Sequence, residues 1–332
     1  MRLRLFFCGI GLFASVVASA ENAGKWNASK TAWGHPDLQG IWTSDDLHDV
    51  PMERPAQYGT RRFMTEDELA QRSQSVQKQL STVETGERPK DGFWAKQSGV
   101  DAAAVPANWV EFARRASRLT SLVAAPDNGR MPALTEEGKQ RRAAQPGYFN
   151  MNPASWEDST MYDRCISRGV TGSYFPSIYG NGSQIIQTPT AVAIRYEMIH
   201  ETRIIPLDGR LHDGSQMRTY MGDPRGHWED NTLVVETTNF TDRSPFWGSG
   251  DNLQLVERFT RTAPDLIMYH ATIEDSTVYA RPWTIEIPLT KKDEKANQIY
   301  ESACHEGNYG LTGILSGARV KEREAAAAAK KK

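Results

Sequence analysis

Nowhere does this chain of 332 residues run apolar long enough to cross a bilayer as a helix, which takes about 20 residues. A bias of charge is missing too. Its 39 Lys and Arg stand against 41 Asp and Glu, a formal net charge of −2. That weak balance gives no reason to expect nucleic acid or an anionic membrane as partner. Familiar catalytic signatures are also absent: there is no Gly-x-Ser-x-Gly elbow, no Walker loop, no Gly-x-Gly-x-x-Gly after a strand and no His-Glu-x-x-His. Ser75-Val76-Gln77-Lys78 matches the Ser-x-x-Lys of penicillin-binding enzymes, but its companion motifs are lacking. No cofactor is therefore implied. The 7 histidines could gather from distant strands, yet their spacing points to no metal site. No internal repeat is visible.

Cysteine is scarce, and its positions are informative. Cys8 lies in a segment with the three parts of a secretory signal: Arg2 and Arg4, the apolar stretch 5–17, and the small-residue box Ala18-Ser19-Ala20. Cleavage after Ala20 is expected, with a periplasmic or secreted destination and no membrane insertion. A lipid anchor through Cys8 fits less well, because Phe6 and Phe7 put it inside the apolar stretch. The mature chain keeps Cys165 and Cys304. In an oxidising compartment such a pair favours one disulfide. Closing a loop of about 140 residues would contribute roughly 4–5 kcal/mol in the chain-entropy account. Two buried free thiols are the alternative.

The mature chain of about 310 residues can bury a sizeable core. Residues 21–150 read as a Trp-rich arm followed by a helical region packed on what comes after. Trp26, Trp33 and Trp42 mark the arm, which ends in a short strand and buries its rings against a domain surface. Thr65-Glu66-Asp67-Glu68 is a capping box, with Met64 and Leu69 as its hydrophobic staple, and predicts a helix to about Leu80. A stripe of Trp109, Phe112, Ala113, Ala116, Leu119 and Val123 predicts a second helix after Pro106. Thr135 caps a short third helix.

Residues 151–324 read as an antiparallel β domain with a closing C-terminal helix. Short segments rich in β-branched residues recur at 183–188, 191–200, 202–207, 232–240, 253–262, 266–274, 283–290 and 299–303. Their connections are too short for crossover helices, so neighbours pair antiparallel. The fold class is mainly β: an up-and-down, lipocalin-like barrel or a two-sheet sandwich. A helix over 311–324 packs Leu311, Ile314, Leu315 and Ala318 on the sheet, and the tail 325–332 frays.

Parity along the strands singles out candidate site residues. Leu253, Leu255, Glu257 and Phe259 share one face, and Leu266, Met268, His270 and Thr272 share another. If Arg261 pairs with Leu266 across Thr262-Ala263-Pro264-Asp265, Glu257 falls opposite His270. Cβ atoms so related are about 5 Å apart. A carboxylate beside an imidazole on an apolar wall is an acid–base device: one ring nitrogen is held and the other moves a proton. A satisfied buried ion pair is the competing reading. Tyr196, Met198 and His200 share a face and could reach the same interior, with Tyr196 or His200 polarising a substrate. Asp230-Asn231 is a plausible hairpin turn that sets Trp228 opposite Leu233 and Arg225 opposite Glu236 as an ion pair, with His227 on the face of Val234. Met198, Met268, Phe259, Trp228 and His227 are the residues expected to line a substrate site. His305 and Glu306, beside Cys304, would sit at a barrel end.

Several phrases then match something known. Pro36-Asp37-Leu38-Gln39-Gly40-Ile41-Trp42, Arg203-Ile204-Ile205-Pro206-Leu207-Asp208-Gly209-Arg210, Gly226-His227-Trp228-Glu229, Leu233-Val234-Val235-Glu236-Thr237-Thr238-Asn239-Phe240, Val256-Glu257-Arg258-Phe259-Thr260-Arg261 and Ala303-Cys304-His305-Glu306-Gly307-Asn308-Tyr309 resemble a widespread, uncharacterised family of exported bacterial proteins. The resemblance covers most of the mature chain. It implies a bacterial origin and a periplasmic or secreted setting, and carries over no activity, cofactor or catalytic residue.

Two functional readings follow. One is an enzyme doing proton-transfer chemistry, of isomerase, hydratase or lyase type, on a small hydrophobic or aromatic compound in a barrel pocket. Glu257 would orient His270 as the base. The other is a lipocalin-like protein that binds a small apolar ligand without turnover; fold alone does not choose between them. For the cysteines, exported and unreduced protein should show no free thiol on denaturing titration with a thiol reagent. Two titrated thiols would refute the disulfide.

Overall fold

Alternation of apolar and polar residues dominates the chain after Gly182, and nearly every alternating segment is a strand. The structure, a computed structural model, describes residues 27–84, 111–145, 152–177, 179–243 and 246–330. The expected signal segment, Trp26 and the start of the expected second helix lie outside these residues. The strands are β1 (Gly40–Thr43), β2 (Val123–Ala125), β3 (Gly182–Gln187), β4 (Ala191–Tyr196), β5 (Thr202–Pro206), β6 (Asp223–Glu229), β7 (Thr232–Thr238), β8 (Gln254–Ala263), β9 (Leu266–Glu274) and β10 (Trp283–Lys291). Their order is β5-β4-β3-β1-β10-β9-β8-β7-β6, with β2 added on β10 and every pair antiparallel.

The path of nine strands curls into a nearly closed barrel, which decides between barrel and sandwich. Its two edges, β5 and β6, meet at Gly226. A Cβ there would stand 2.7 Å from Ile205 and from Leu207, so only glycine lets the edges approach this closely. Leu233, Val235, Phe259, Ile267, Tyr269, Ala271, Ile273, Ile285 and Ile287, all buried, fill the inside as one core.

The N-terminal arm contributes more than expected. It runs into β1, which lies within the sheet between β3 and β10, and Trp42 is fully buried. The part of the chain read as an arm packed on the β domain therefore builds a piece of its wall.

The helices agree in part. In α1 (Glu66–Glu84), Thr65 Oγ1 accepts from the Glu68 amide (3.3 Å) and Glu68 accepts from the Thr65 amide (2.8 Å), the reciprocal bonds of a capping box. Thr135 caps α2 (Glu136–Ala144) by accepting from the Gly138 amide. The second predicted helix is not formed over its described residues. Its backbone instead bonds to other segments: the Thr120 amide to Arg62, Leu122 to Pro51 and Val123 to Met52. The 3.6-residue stripe was real, but buried surface on several sides can produce the same spacing, and tertiary partners overrode it. Residues 299–303 form no strand.

The last helix, α3 (Tyr309–Ala329), is capped by Asn308 and continues through the tail expected to fray. The run of alanines, the best helix former, accounts for this. Arg319 donates to the carbonyls of Pro153 and Ala154, and Asn308 Nδ2 to that of Asp163. Ala318 is buried, while Leu311, Ile314 and Leu315 are half-buried. The Cys165–Cys304 disulfide forms as expected, across a separation of 139 residues.

One buried ion pair spans the barrel. Arg203 on edge strand β5 reaches Glu257 on β8 at 2.5 Å and Thr237 on β7 at 2.6 Å, with both charged side chains almost wholly buried. Removing one partner of such a pair leaves a buried charge unmatched, at a cost of about 3–5 kcal/mol. Glu257→Ala and Arg203→Met should each lose about that much in urea unfolding, and the double variant no more than the worse single. Additive losses would mean the two residues act separately.

Candidate functional site

The hairpin that was to join Glu257 and His270 has a different register. Arg261 pairs with Ile267 and Ala263 with Leu266, and the ladder shifts between them, leaving Thr262 as an extra residue in β8. Glu257 consequently faces Ala271, and Arg258 faces His270. A slip of one residue sends a side chain to the opposite face of the sheet. The physical cause lies in the turn. Pro264 has φ locked near −65°, which bars the primed turns that suit a two-residue reversal, and a bulge restores the twist. The expected pair is thus split: Glu257 points into the barrel and His270 lies on its outer wall.

Inside, Glu257 is wholly engaged. One oxygen takes Arg203 and the other accepts from the Tyr269 hydroxyl at 3.1 Å. Tyr174, from the loop before β3, packs its ring 4.5 Å from Tyr269 and 5.4 Å from Tyr196, and Phe259 lies 4.9 Å from Tyr269. Burial pushes the Tyr174 and Tyr269 hydroxyls well above their ordinary range, and Tyr196 to about 12. Burial opposes the charge of Arg203, but the Glu257 carboxylate more than offsets it and raises the guanidinium pKa. The tyrosines hold their protons, and both oxygens of the carboxylate are bonded within the protein. Glu257, Tyr196 and Phe259 are therefore parts of a packed polar core, which corrects the expectation that Glu257 orients His270.

His270 has found another acid. Its Nε2 lies 2.7 Å from Glu286 Oε2 on the adjacent strand β10, its direct cross-strand neighbour. The imidazole is 34% exposed and the Glu286 side chain 6%. Arg62 also pairs with that oxygen of Glu286, and the Glu286 amide donates to Leu122. The row across the wall runs His227, Val234, Arg258, His270, Glu286. Met268 lies two residues along on the same face, and exposed Phe63 adjoins Arg62, whose guanidinium sits 5.5 Å from the ring. A half-open imidazole backed by a nearly buried carboxylate, with arginines and apolar surface beside it, can bind and move a proton.

The other predicted residues scatter. Tyr196 ends β4 in the interior. After it the chain turns, with Ile199 at φ 63° and His200 at φ 48°, so the expected strand over 191–200 stops six residues in. Met198 is buried beside Tyr162 and Ser302. His200 Nδ1 lies 2.9 Å from the Ser302 carbonyl, at the rim near the disulfide. Strands β3, β1 and β10 separate this rim from His270. His227 is exposed and pairs with Glu229 at 3.2 Å, while Trp228 packs on His35 with ring centres 5.2 Å apart. Trp228 does face Leu233, and Arg225 faces Glu236, but the ion pairs of Arg225 are with Asp223 and Asp213.

A second cluster left no trace in the sequence pattern. Lys292 Nζ sits 2.7 Å from Glu111 and 3.3 Å from Asp45. Asn181 Nδ2 donates to Asp45 (2.9 Å), and the Asn181 amide to Glu111 (3.1 Å). Burial, then the charge of Glu111, lifts Asp45 to about 6. Burial also raises Glu111, but Lys292 outweighs it and holds that carboxyl below its usual value. Burial lowers His48, beside them, and raises Glu197. Two acids driven apart in pKa are a known arrangement of catalytic sites, yet here every group is tied to a protein partner. The four contributing segments are far apart in sequence, so only their assembly reveals the cluster.

No protein-family model, curated protein or solved structure matches the chain.

The raised Asp45 sets a sign for stability. Its ordinary pKa is 3.8 and its folded value about 6, so between these values the folded chain keeps a proton that the unfolded chain releases. Its contribution is therefore present at low pH and lost as pH rises through 4 to 6. Asp45→Asn removes this titration. Relative to the variant, wild-type protein should lose up to about 3 kcal/mol over that interval in urea unfolding. A constant difference between the two proteins would contradict the assignment.

Proposed function

We propose that the chain is an exported enzyme that moves protons on a small hydrophobic or aromatic compound, with His270 as the acid–base group and Glu286, not Glu257, holding its ring. The single observation carrying this reading is the 2.7 Å contact between a half-open imidazole and a nearly buried carboxylate. Glu286 holds one ring nitrogen, leaving Nδ1 to exchange a proton with a substrate. Arg62, paired with Glu286, and Arg258, paired with Glu229, flank the imidazole and would offset negative charge developing on an enolate or leaving oxygen. Met268 and Phe63 offer apolar surface to the rest of the molecule. Isomerisation, elimination and hydration all suit such a device. The lipocalin-like alternative draws less support, because Tyr174, Phe259, Tyr269 and the Arg203–Glu257 pair occupy the interior where a ligand would lie.

Export is part of the proposal. A cleaved signal at 1–20 and a periplasmic or secreted setting agree with the Cys165–Cys304 disulfide, with the resemblance to exported bacterial proteins, and with there being no helix among the described residues that is long and apolar enough to cross a membrane.

A general base contributes about 10²–10⁴-fold. In D₂O, the mature protein should accelerate exchange of the α-proton in a panel of small aryl ketones, read by mass spectrometry. His270→Ala should lower that rate at least about 100-fold with Tm almost unchanged, and Glu286→Gln by a lesser factor. Undiminished exchange in His270→Ala, or a collapse of Tm in that variant, would remove the dyad from catalysis.

A further inference from the structure

The rim below the disulfide brings together three metal-binding side chains from two distant segments. His200 follows β4, and Glu301 and Glu306 flank Cys304. One donor atom from each lies within 4.8 Å of the other two. Around a zinc-class cation, ligand distances of about 2.0–2.2 Å place donor atoms no more than about 4.4 Å apart. The observed separation is thus within reach of a small side-chain adjustment, and both glutamates are exposed and free to make it.

Two features set this group apart from an ordinary acidic surface. The first is the tautomer. A carbonyl only accepts, so the 2.9 Å contact between His200 Nδ1 and Ser302 O makes Nδ1 the donor, and in the neutral ring that tautomer leaves Nε2 as the nitrogen able to bind a cation. Metal-bound histidines are held in this way by an outer carbonyl or carboxylate. The second is the charge balance. Among the described residues, neither Glu301 nor Glu306 has a salt-bridge or side-chain hydrogen-bond partner, so two carboxylates meet beside an imidazole nitrogen with no protein cation to balance them. Like charges gathered in this way repel unless a counter-charge joins them.

The scaffold holds both segments. Cys304 is bonded to Cys165, and Asn308 Nδ2 donates to the Asp163 carbonyl. We propose that His200, Glu301 and Glu306 form a binding site for a first-row divalent cation of the zinc type. The imidazole favours such an ion over calcium or magnesium, which take oxygen ligands. Three protein ligands leave at least one coordination position for water or another ligand. This site is independent of the His270 reading, since it lies at the rim and β3, β1 and β10 separate β4 from β9.

The test uses the untagged, oxidised, mature chain, stripped with EDTA and dialysed, then titrated with Zn²⁺ by calorimetry. One equivalent should bind, and Co²⁺ should give a d–d absorption band that Zn²⁺ quenches. Affinity should fall at least about 10-fold in His200→Ala and in the double variant Glu301→Gln/Glu306→Gln. The double variant alters only exposed side chains, so it keeps the test sound if His200→Ala misfolds. His227→Ala should bind like wild type, and millimolar Ca²⁺ should not compete. Absence of a stoichiometric site, equal affinity in wild type and the double variant, or displacement by Ca²⁺ would each overturn the assignment.

Discussion

The Arg203–Glu257 pair ties one edge of the barrel to the strands near the other edge through the middle of the core. A guanidinium and a carboxylate at 2.5 Å, away from water, attract strongly, but stripping each of its hydration costs several kcal/mol. Tyr269 donates to the second oxygen of Glu257 and Thr237 accepts from Nη2 of Arg203, which offsets part of that cost, while Nε and Nη1 of Arg203 are buried without a partner. Tyr174 and Tyr196 close the space around them. The pair therefore links edge strand β5 to β7 and β8 across the interior of the barrel. With Glu257 neutralised and the tyrosines held protonated, exchangeable groups are left on the outer wall and at the rim.

The wall owes its character to one inserted residue. Without the bulge at Thr262, Glu257 and His270 would share a face. With it, Glu257 turns inward to meet Arg203, and His270 turns outward to meet Glu286. Pro264, which imposes the bulge, thus links turn chemistry to the position of the His270–Glu286 pair about 20 Å of strand away. The expected pairing of Glu257 with His270 does not form, and the carboxylate beside the imidazole is that of Glu286 on the outer face.

Local signals are legible in the sequence. The capping box at Thr65 and Glu68, the cap at Thr135, the Asp230-Asn231 hairpin with its register, and the Cys165–Cys304 bond all follow from chemistry within a few residues or from having only two candidates to pair. Alternation located most strands within a residue or two. Signals that depend on the company a segment keeps were read poorly. The stripe through 111–123 looks helical because apolar residues recur, but its backbone partners are Pro51, Met52 and Arg62. The stretch 191–200 alternates to its end, yet turns at Ile199 and His200. The Asp45–Glu111–Lys292–Asn181 cluster draws on four segments and carries no motif.

By itself the sequence determined the mainly antiparallel β class, the cysteine pairing and the capped starts of two helices, because each rests on contacts among neighbours or on a period of two. Only the tertiary structure decided that the strands close into a barrel, that β1 from the N-terminal arm enters its wall, and which acid meets which base. Those outcomes turn on register and on the approach of distant edges. A single extra residue at position 262 and a missing Cβ at Gly226 control them, and neither is weighed by composition or alternation.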